Sequence, residues 1–181
     1  MNLVYISRVL TNQLPFSEKV RYISQLLDID PNWLMWVMNF ESTLNPRAVN
    51  NSTGATGLIQ FMPSTARSLG TSTADLLQKS NVEQLDDVYA YLKPHTGRMN
   101  SMIDVYFAVF FPIAMNKPSD YILQTSNLSA SKIASQNAGF DLNHNGQLTR
   151  SEVEARVSVG IPYEYQALMK KKTAWNSELK K

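Results

Sequence analysis

Asp30-Pro31-Asn32-Trp33-Leu34-Met35-Trp36-Val37-Met38-Asn39-Phe40-Glu41-Ser42-Thr43-Leu44-Asn45-Pro46 is the stretch whose pattern decides the reading of this 181-residue chain. Asp30 suits a helix N-cap, and Pro31 suits the first helical position, where a missing N–H leaves nothing unpaired. Leu34, Val37, Met38 and Glu41 then share one helical stripe. A carboxylate that continues an apolar face is partly desolvated, which raises its pKa toward the range where a general acid works near neutrality. Asn45-Pro46 ends the element, because proline disfavours the α conformation in the residue before it. Spacing alone leaves two readings of Glu41 open: a general acid beside a cleft, or an exposed helix-end carboxylate.

Working outward, Val20, Ile23, Leu26 and Leu27 predict a helix upstream, with Ser17 as its N-cap. Downstream, Asn50 to Gly57 is rich in loop formers, and Pro63 to Leu69 reads as a short helix stopped by Gly70. Asn81 with Gln84 resembles a capping box for a helix carrying Leu85, Val88 and Leu92 up to Pro94. Ser101 to Phe111 is apolar nearly all round and reads as a buried central helix. No stretch alternates with period two for long, so the class is mainly α, with at most a small hairpin near residues 50–60. No repeat or linker divides the chain. Residues 1–169 read as one domain followed by a tail, 170–181, holding five lysines and one acid.

A hydrophobic content of 44% with 18% charged residues excludes a disordered or collagen-like chain. The longest apolar stretch, Met102 to Met115, is shorter than the roughly 20 helical residues a bilayer needs and contains Asp104, so no membrane insertion is expected. Without cysteine there is no disulfide, thiolate ligand or cysteine nucleophile. His95 and His144 are too few for a histidine metal site and read as solvated loop residues. The basic charge sits in the tail rather than along a face, which argues against nucleic-acid binding. Met1 to Arg8 has neither the positive start nor the apolar run of a signal peptide.

Glu41-Ser42-Thr43-Leu44-Asn45-Pro46 followed by Gly54-Ala55-Thr56-Gly57-Leu58-Ile59-Gln60-Phe61-Met62-Pro63-Ser64-Thr65-Ala66 closely resembles the signature of the lytic transglycosylases of the soluble (SLT) type, relatives of goose-type lysozyme. There an E-S-x-x-N-P block precedes G-A-x-G-L-x-Q-x-M-P-x-T-A. The resemblance is strong over about residues 30–70 and looser over 15–115. It implies a lysozyme-like α+β fold and a bacterial peptidoglycan substrate, cut at the β-1,4 bond between N-acetylmuramic acid and N-acetylglucosamine. Residue by residue, it puts the catalytic acid on Glu41 and cleft-lining contacts on Gln60 and Met62. The family's serine falls on Asn51 or Ser52, of which Ser52 has the hydroxyl. In place of the family's A-A-Y-N-A-G stands Ala108-Val109-Phe110-Phe111-Pro112-Ile113, with Phe111 where the amide would be. Tyr106, Phe61 and Phe111 read either as aromatic faces for sugar rings or as core aromatics, and Tyr165 either matches a downstream family tyrosine loosely or packs on the surface. The resemblance implies a single acid: Glu41 protonates the glycosidic oxygen, then acts as base while the sugar's 6-hydroxyl attacks, leaving a 1,6-anhydromuramoyl end. Asp75, Glu83, Asp86, Asp87 and Asp104 are the candidates for a second carboxylate, should the outcome be hydrolysis.

Asp141-Leu142-Asn143-His144-Asn145-Gly146-Gln147-Leu148-Thr149-Arg150-Ser151-Glu152 satisfies every fixed position of the EF-hand loop. Asp141, Asn143 and Asn145, the Gln147 carbonyl, Thr149 directly or through water, and a bidentate Glu152 would surround Ca2+, with Gly146 at the sharp turn. Helices over Ser131–Ala138 and Ser151–Val159 would flank it, with Leu148 as its anchor in the core. A lone loop of this kind suits a structural clip better than a sensor. No organic cofactor is expected. The layout is similar to virion-associated or endolysin-like phage enzymes, which implies a place in a virion or an infected cytoplasm, action on the periplasmic or external cell wall, and other virion proteins as partners. The alternative from another class is a non-catalytic, calcium-dependent wall-binding or virion structural protein on the same scaffold.

Overall fold

The computed structural model describes residues 2–170, so the basic tail beyond Lys170 lies outside the described residues. Its elements are helical. In chain order they are α1 (Gln13–Leu27), α2 (Pro31–Ser42), α3 (Pro63–Ser68), α4 (Thr73–Gln78), α5 (Asn81–Leu92), α6 (Met102–Phe110), α7 (Ala130–Gln136), α8 (Arg150–Ser158) and α9 (Tyr163–Lys170). Only isolated antiparallel bridges occur among the described residues, two of them within residues 49–61 (Val49 with Thr56, Thr56 with Phe61). The mainly α expectation therefore holds, with two bridges where a hairpin was allowed.

α2 is the axis of the molecule. Trp33 to Met38 are all buried, and α1 and α6 pack against it while α5 packs on α1. Its start is built as the sequence predicts: Asp30 accepts a hydrogen bond from the N–H of Asn32, and Pro31 takes the first helical position. Its end comes sooner than Asn45-Pro46 suggests. Thr43 and Leu44 adopt left-handed backbone, φ 55° and 64°, and their N–H groups return to the carbonyls of Asn39 and Met38. Satisfying the last carbonyls this way turns the chain sharply right after Glu41.

Several local expectations need correction. α1 begins after Asn12, so Ser17 lies inside the helix with its hydroxyl on the Leu14 carbonyl, and Leu26 faces solvent while Leu27 is buried. The box at the start of α5 sits one residue earlier: Ser80 and Glu83 cap each other's backbone N–H groups. Gln84 does something else. It is fully buried; its Oε1 accepts from the Leu58 N–H, 3.0 Å, and its Nε2 donates to the carbonyls of Pro46, 2.7 Å, and Leu76, 2.8 Å. Helices α4 and α9 have no counterpart in the sequence reading. His95 is half-buried against the Tyr91 ring, and burial lowers its pKa, so it is not a solvated loop residue.

The C-terminal part is tied back by a buried ion pair, Arg150 to Asp104 at 2.9 Å, and by a bridge between Ile122 and Thr149 with the Leu123 N–H on the Leu148 carbonyl. No helix among the described residues is long and apolar enough to cross a membrane.

Gln84 joins three segments, the exit from α2, the loop before the groove and the end of α4, at one buried point. Gln84→Leu leaves one N–H and two carbonyls without partners, so it should cost about 3 kcal/mol and lower Tm by about 6–12 °C, read by thermal unfolding. A shift under about 2 °C would mean that water replaces the amide.

Candidate active site

The groove forms where the loop after α2 meets α5 and α6. Ile59, Gln60, Phe61, Met62, Thr65, Tyr91 and Val109 line a narrow cavity of about 40 Å³. The loop reaches that position through a dense set of internal bonds. Thr56 and Phe61 exchange two backbone hydrogen bonds, and the Gly57 N–H donates to the Ala48 carbonyl. Ser42 Oγ lies 2.9 Å from the carbonyls of both Met38 and Leu58, fastening the loop to the last turn of α2. Gly57 is required twice over: its φ is +83°, and a Cβ there would stand 2.6 Å from Gln84 Oε1.

Gln60 and Met62 both line this groove, as the signature implies. Gln60 has φ 54°, and its Nε2 donates to the carbonyls of Ala48 and Gly57, so its amide is fixed by the loop it belongs to. Met62 occupies the N-cap position of α3 without a side-chain capping bond and keeps 44% of its surface open. Tyr91 lines the same wall, and its hydroxyl donates to the carbonyls of Ala108 and Val109 at the end of α6.

Glu41 stands in the last turn of α2, only partly exposed, and no described residue forms a hydrogen bond or ion pair with its carboxylate. Burial alone therefore acts on it and pushes its pKa up to about 7. Its charge is felt by two phenols: burial chiefly, and then Glu41, raise the pKa of both Tyr91 and Tyr106. An acid of this kind holds its proton at neutrality and can give it up to a leaving oxygen.

The remaining expected contacts scatter. Ser52 is exposed in the turn after Asn50, with its N–H on the Asn50 side chain, and is not among the residues lining the groove. Tyr106 and Phe61 are each 2% exposed, so neither offers a free face to a sugar; Tyr106 is enclosed by Phe40, Phe107, Phe110 and Phe140. Phe111 is half-buried just past α6, where Pro112 redirects the chain. Tyr165 lies beside the N-terminal segment, its hydroxyl on the Asn2 carbonyl. All five candidate second carboxylates serve other contacts: Asp75 with Ser72, Glu83 in its cap, Asp86 with Lys19, Asp87 with Lys79, and Asp104 with Ser101 and Arg150. Tyr91 was missed because its spacing from Val88 reads as core. Gln84 was missed because a buried amide leaves no periodic trace.

With Gln60 and Met62 set in one groove by the loop that carries the motif, and the Glu41 charge acting on Tyr91 in the groove wall, the comparison with known families decides the kinship. Residues 19–114 match the model of the Transglycosylase SLT domain. The chain belongs to that family. A relative described as a transglycosylase, from Enterobacteria phage PRD1, is 31% identical over 101 residues, which take in 50% of this chain and 38% of that protein. The chain thus spans well under half of that relative's length. No solved structure matches.

Beyond the SLT segment, the loop 141–152 folds around its own backbone. The Asp141 carboxylate accepts from the N–H groups of Asn145 and Gly146, Asn143 Oδ1 from Asn145, and Asn145 Oδ1 from Gln147. Glu152 reaches back to the Thr149 N–H and hydroxyl, with its other oxygen toward the Asn143 N–H. Gly146 turns with φ +76°, and Leu148 is fully buried. Only two carboxylates belong to this set, and no group of three or more His, Cys, Asp or Glu converges among the described residues. Its donors are hard oxygens, the kind a hard divalent cation takes.

The raised pKa of Glu41 has a sign in stability. The folded state favours the proton, so the stability this gives is complete below about pH 4.5 and is lost as pH rises through about 7. Glu41→Gln should therefore gain about 2–3 kcal/mol over the native chain above neutrality. The gain should vanish in acid, as urea unfolding across a pH series will read; a difference that does not change with pH would mean an ordinary carboxylate.

Proposed function

We propose that this chain is a peptidoglycan lytic transglycosylase that cleaves the β-1,4 bond between N-acetylmuramic acid and N-acetylglucosamine with Glu41 as its only acid. The observation that carries the reading is a desolvated carboxyl, unpaired among the described residues, with a pKa of about 7, whose charge acts on Tyr91 in the wall of the groove that holds Gln60 and Met62. Glu41 gives its proton to the glycosidic oxygen as the bond to the muramic C1 breaks. The resulting carboxylate then takes the proton of the C6 hydroxyl as that oxygen closes on C1, leaving a 1,6-anhydro ring and restoring the acid. Hydrolysis would call for a second carboxylate or an activated water on the opposite face. The engagement of Asp75, Glu83, Asp86, Asp87 and Asp104 in caps and ion pairs favours the internal attack. Similarity to a phage transglycosylase supports a phage setting; other virion proteins are proposed as its partners.

Mass spectrometry of muropeptides released from purified peptidoglycan tests this. The native chain should give anhydro ends, with a rate that falls above about pH 7 as Glu41 loses its proton. Glu41→Gln should lower the rate by about 10²–10⁴. Reducing ends would make the chain a hydrolase, and no release from the native chain would favour the non-catalytic wall-binding alternative.

The loop 141–152 is proposed to hold Ca2+ as a structural clip, through Asp141, Asn143, Asn145, the Gln147 carbonyl, Thr149 and Glu152. Two charged ligands place its affinity at the weak end. Millimolar calcium should raise Tm, chelator should reverse the rise, and Asp141→Ala should abolish it. A Tm indifferent to calcium in the native chain would remove the metal from the account.

A further inference from the structure

We propose that the cavity between Arg8 and Arg47 is a binding site for a short peptide, held through its carboxylates. Its volume is about 430 Å³, within the range of small-molecule sites, and it shares no lining residue with the groove of Gln60 and Met62. The proposal goes beyond the transglycosylase reading, since it uses neither Glu41 nor a glycan. Arg8, Leu10 and Thr11 in its wall precede residues 19–114, the segment that matches the family, so the family motif does not build it alone.

Charge decides the sign of the ligand. Two arginines line the cavity, and no aspartate or glutamate does. Other cations of the molecule are paired: Lys19 with Asp86, Lys79 with Asp87, and Arg150 with Asp104. Arg8 and Arg47, by contrast, form no ion pair among the described residues. Each donates to a neutral oxygen, Arg8 to Asn39 Oδ1 and Arg47 to the Leu77 carbonyl. A guanidinium carries its N–H donors in a rigid fork, so each keeps further donors for an acceptor, and the fork matches a carboxylate in two parallel bonds.

Both arginines are fixed before any ligand arrives. The Arg8 guanidinium lies over the Tyr5 ring, 4.3 Å from its centroid, and the Tyr5 hydroxyl donates to the Gly160 carbonyl, 2.8 Å. Arg47 is tied at both ends, its backbone N–H on Asn45 Oδ1, 2.9 Å, and its guanidinium on Leu77. Side chains held in this way lose little entropy when an anion lands between them.

The rest of the wall selects a peptide over a bare anion. Leu10 is 91% exposed and Pro46 is half-buried, which offers apolar contact to small aliphatic side chains. The exposed Asn45 has its oxygen on Arg47, so its amide N–H donors face no partner among the described residues and suit a peptide carbonyl. A phosphate would meet the arginines and leave Leu10, Pro46 and Asn45 unused. Two sources carry the right chemistry: the D-glutamate-containing peptide stems of the bacterial wall, and an acidic segment of a protein.

The test titrates the native full chain, by calorimetry and by NMR, with N-acetyl-L-alanyl-D-glutamate, with its L-glutamate isomer, with the uncharged diamide of the first, and with inorganic phosphate. A charged dipeptide should bind saturably, shift the Asn45 side-chain amide resonances and bind more weakly as salt rises. The diamide should bind at least about tenfold more weakly. Arg8→Gln and Arg47→Gln should each weaken the dipeptide about three- to tenfold, and Arg47→Lys should weaken it too, because an ammonium keeps the charge without the fork. Preference for the D isomer identifies the wall stem as the source; preference for the L isomer, or equal binding, identifies a protein segment.

No saturation by either dipeptide up to about 10 mM would overturn the site, as would binding unchanged in both glutamine variants. Phosphate binding as tightly as the dipeptides would overturn the peptide and leave a bare oxyanion site. Should the variants fail to fold, the native chain decides: Asn45 and Arg47 side-chain resonances that stay unmoved at saturation overturn the proposal. Absence of muropeptide release leaves these outcomes untouched, because no glycan enters the titration.

Discussion

One buried amide holds the site together. Gln84 satisfies a donor from Leu58 and acceptors from Pro46 and Leu76, so it joins the exit from α2, the loop behind the groove and the end of α4 at a single point. Inside a protein, each of those groups would otherwise be buried without a partner, which makes the joint both strong and specific in geometry. The loop can approach this closely only because residue 57 is glycine. Gln60 and Met62 reach the groove because the residues just before them are anchored in this way.

The same arrangement makes Glu41 useful and costly. It ends an apolar helix whose left-handed exit carries the chain away at once, and among the described residues no basic side chain pairs with the carboxylate. A cation there would hold the proton off and waste the acid; burial without a cation keeps the proton on at neutral pH. The helix therefore carries an unfavourable charge whenever Glu41 ionises, a strain that the packing of Trp33 to Met38 is large enough to bear.

The C-terminal part is tied to α6, the helix that gives Val109 to the groove. The Arg150 to Asp104 pair fixes the start of α6, and Phe140 meets the other end of the same helix at Phe110. The loop between them, residues 141–152, thus sets two contacts on α6 from a segment outside the family match.

The sequence by itself determined the helical class, the start of α2, the place of Glu41 on its apolar stripe and the pairing of Gln60 with Met62. Those features follow from local rules: a cap and a proline fix a helix start, periodicity fixes a face, and a motif is a short run of neighbours. Residues distant in sequence were legible only after folding. Tyr106 reads as a candidate sugar face until three rings from α2, α6 and the turn before Asp141 enclose it. Gln84 reads as half of a capping box until its amide is seen reaching Pro46 and Leu58. Tertiary structure decided these because burial and hydrogen-bond satisfaction depend on partners far along the chain, and no pattern within one helix encodes them.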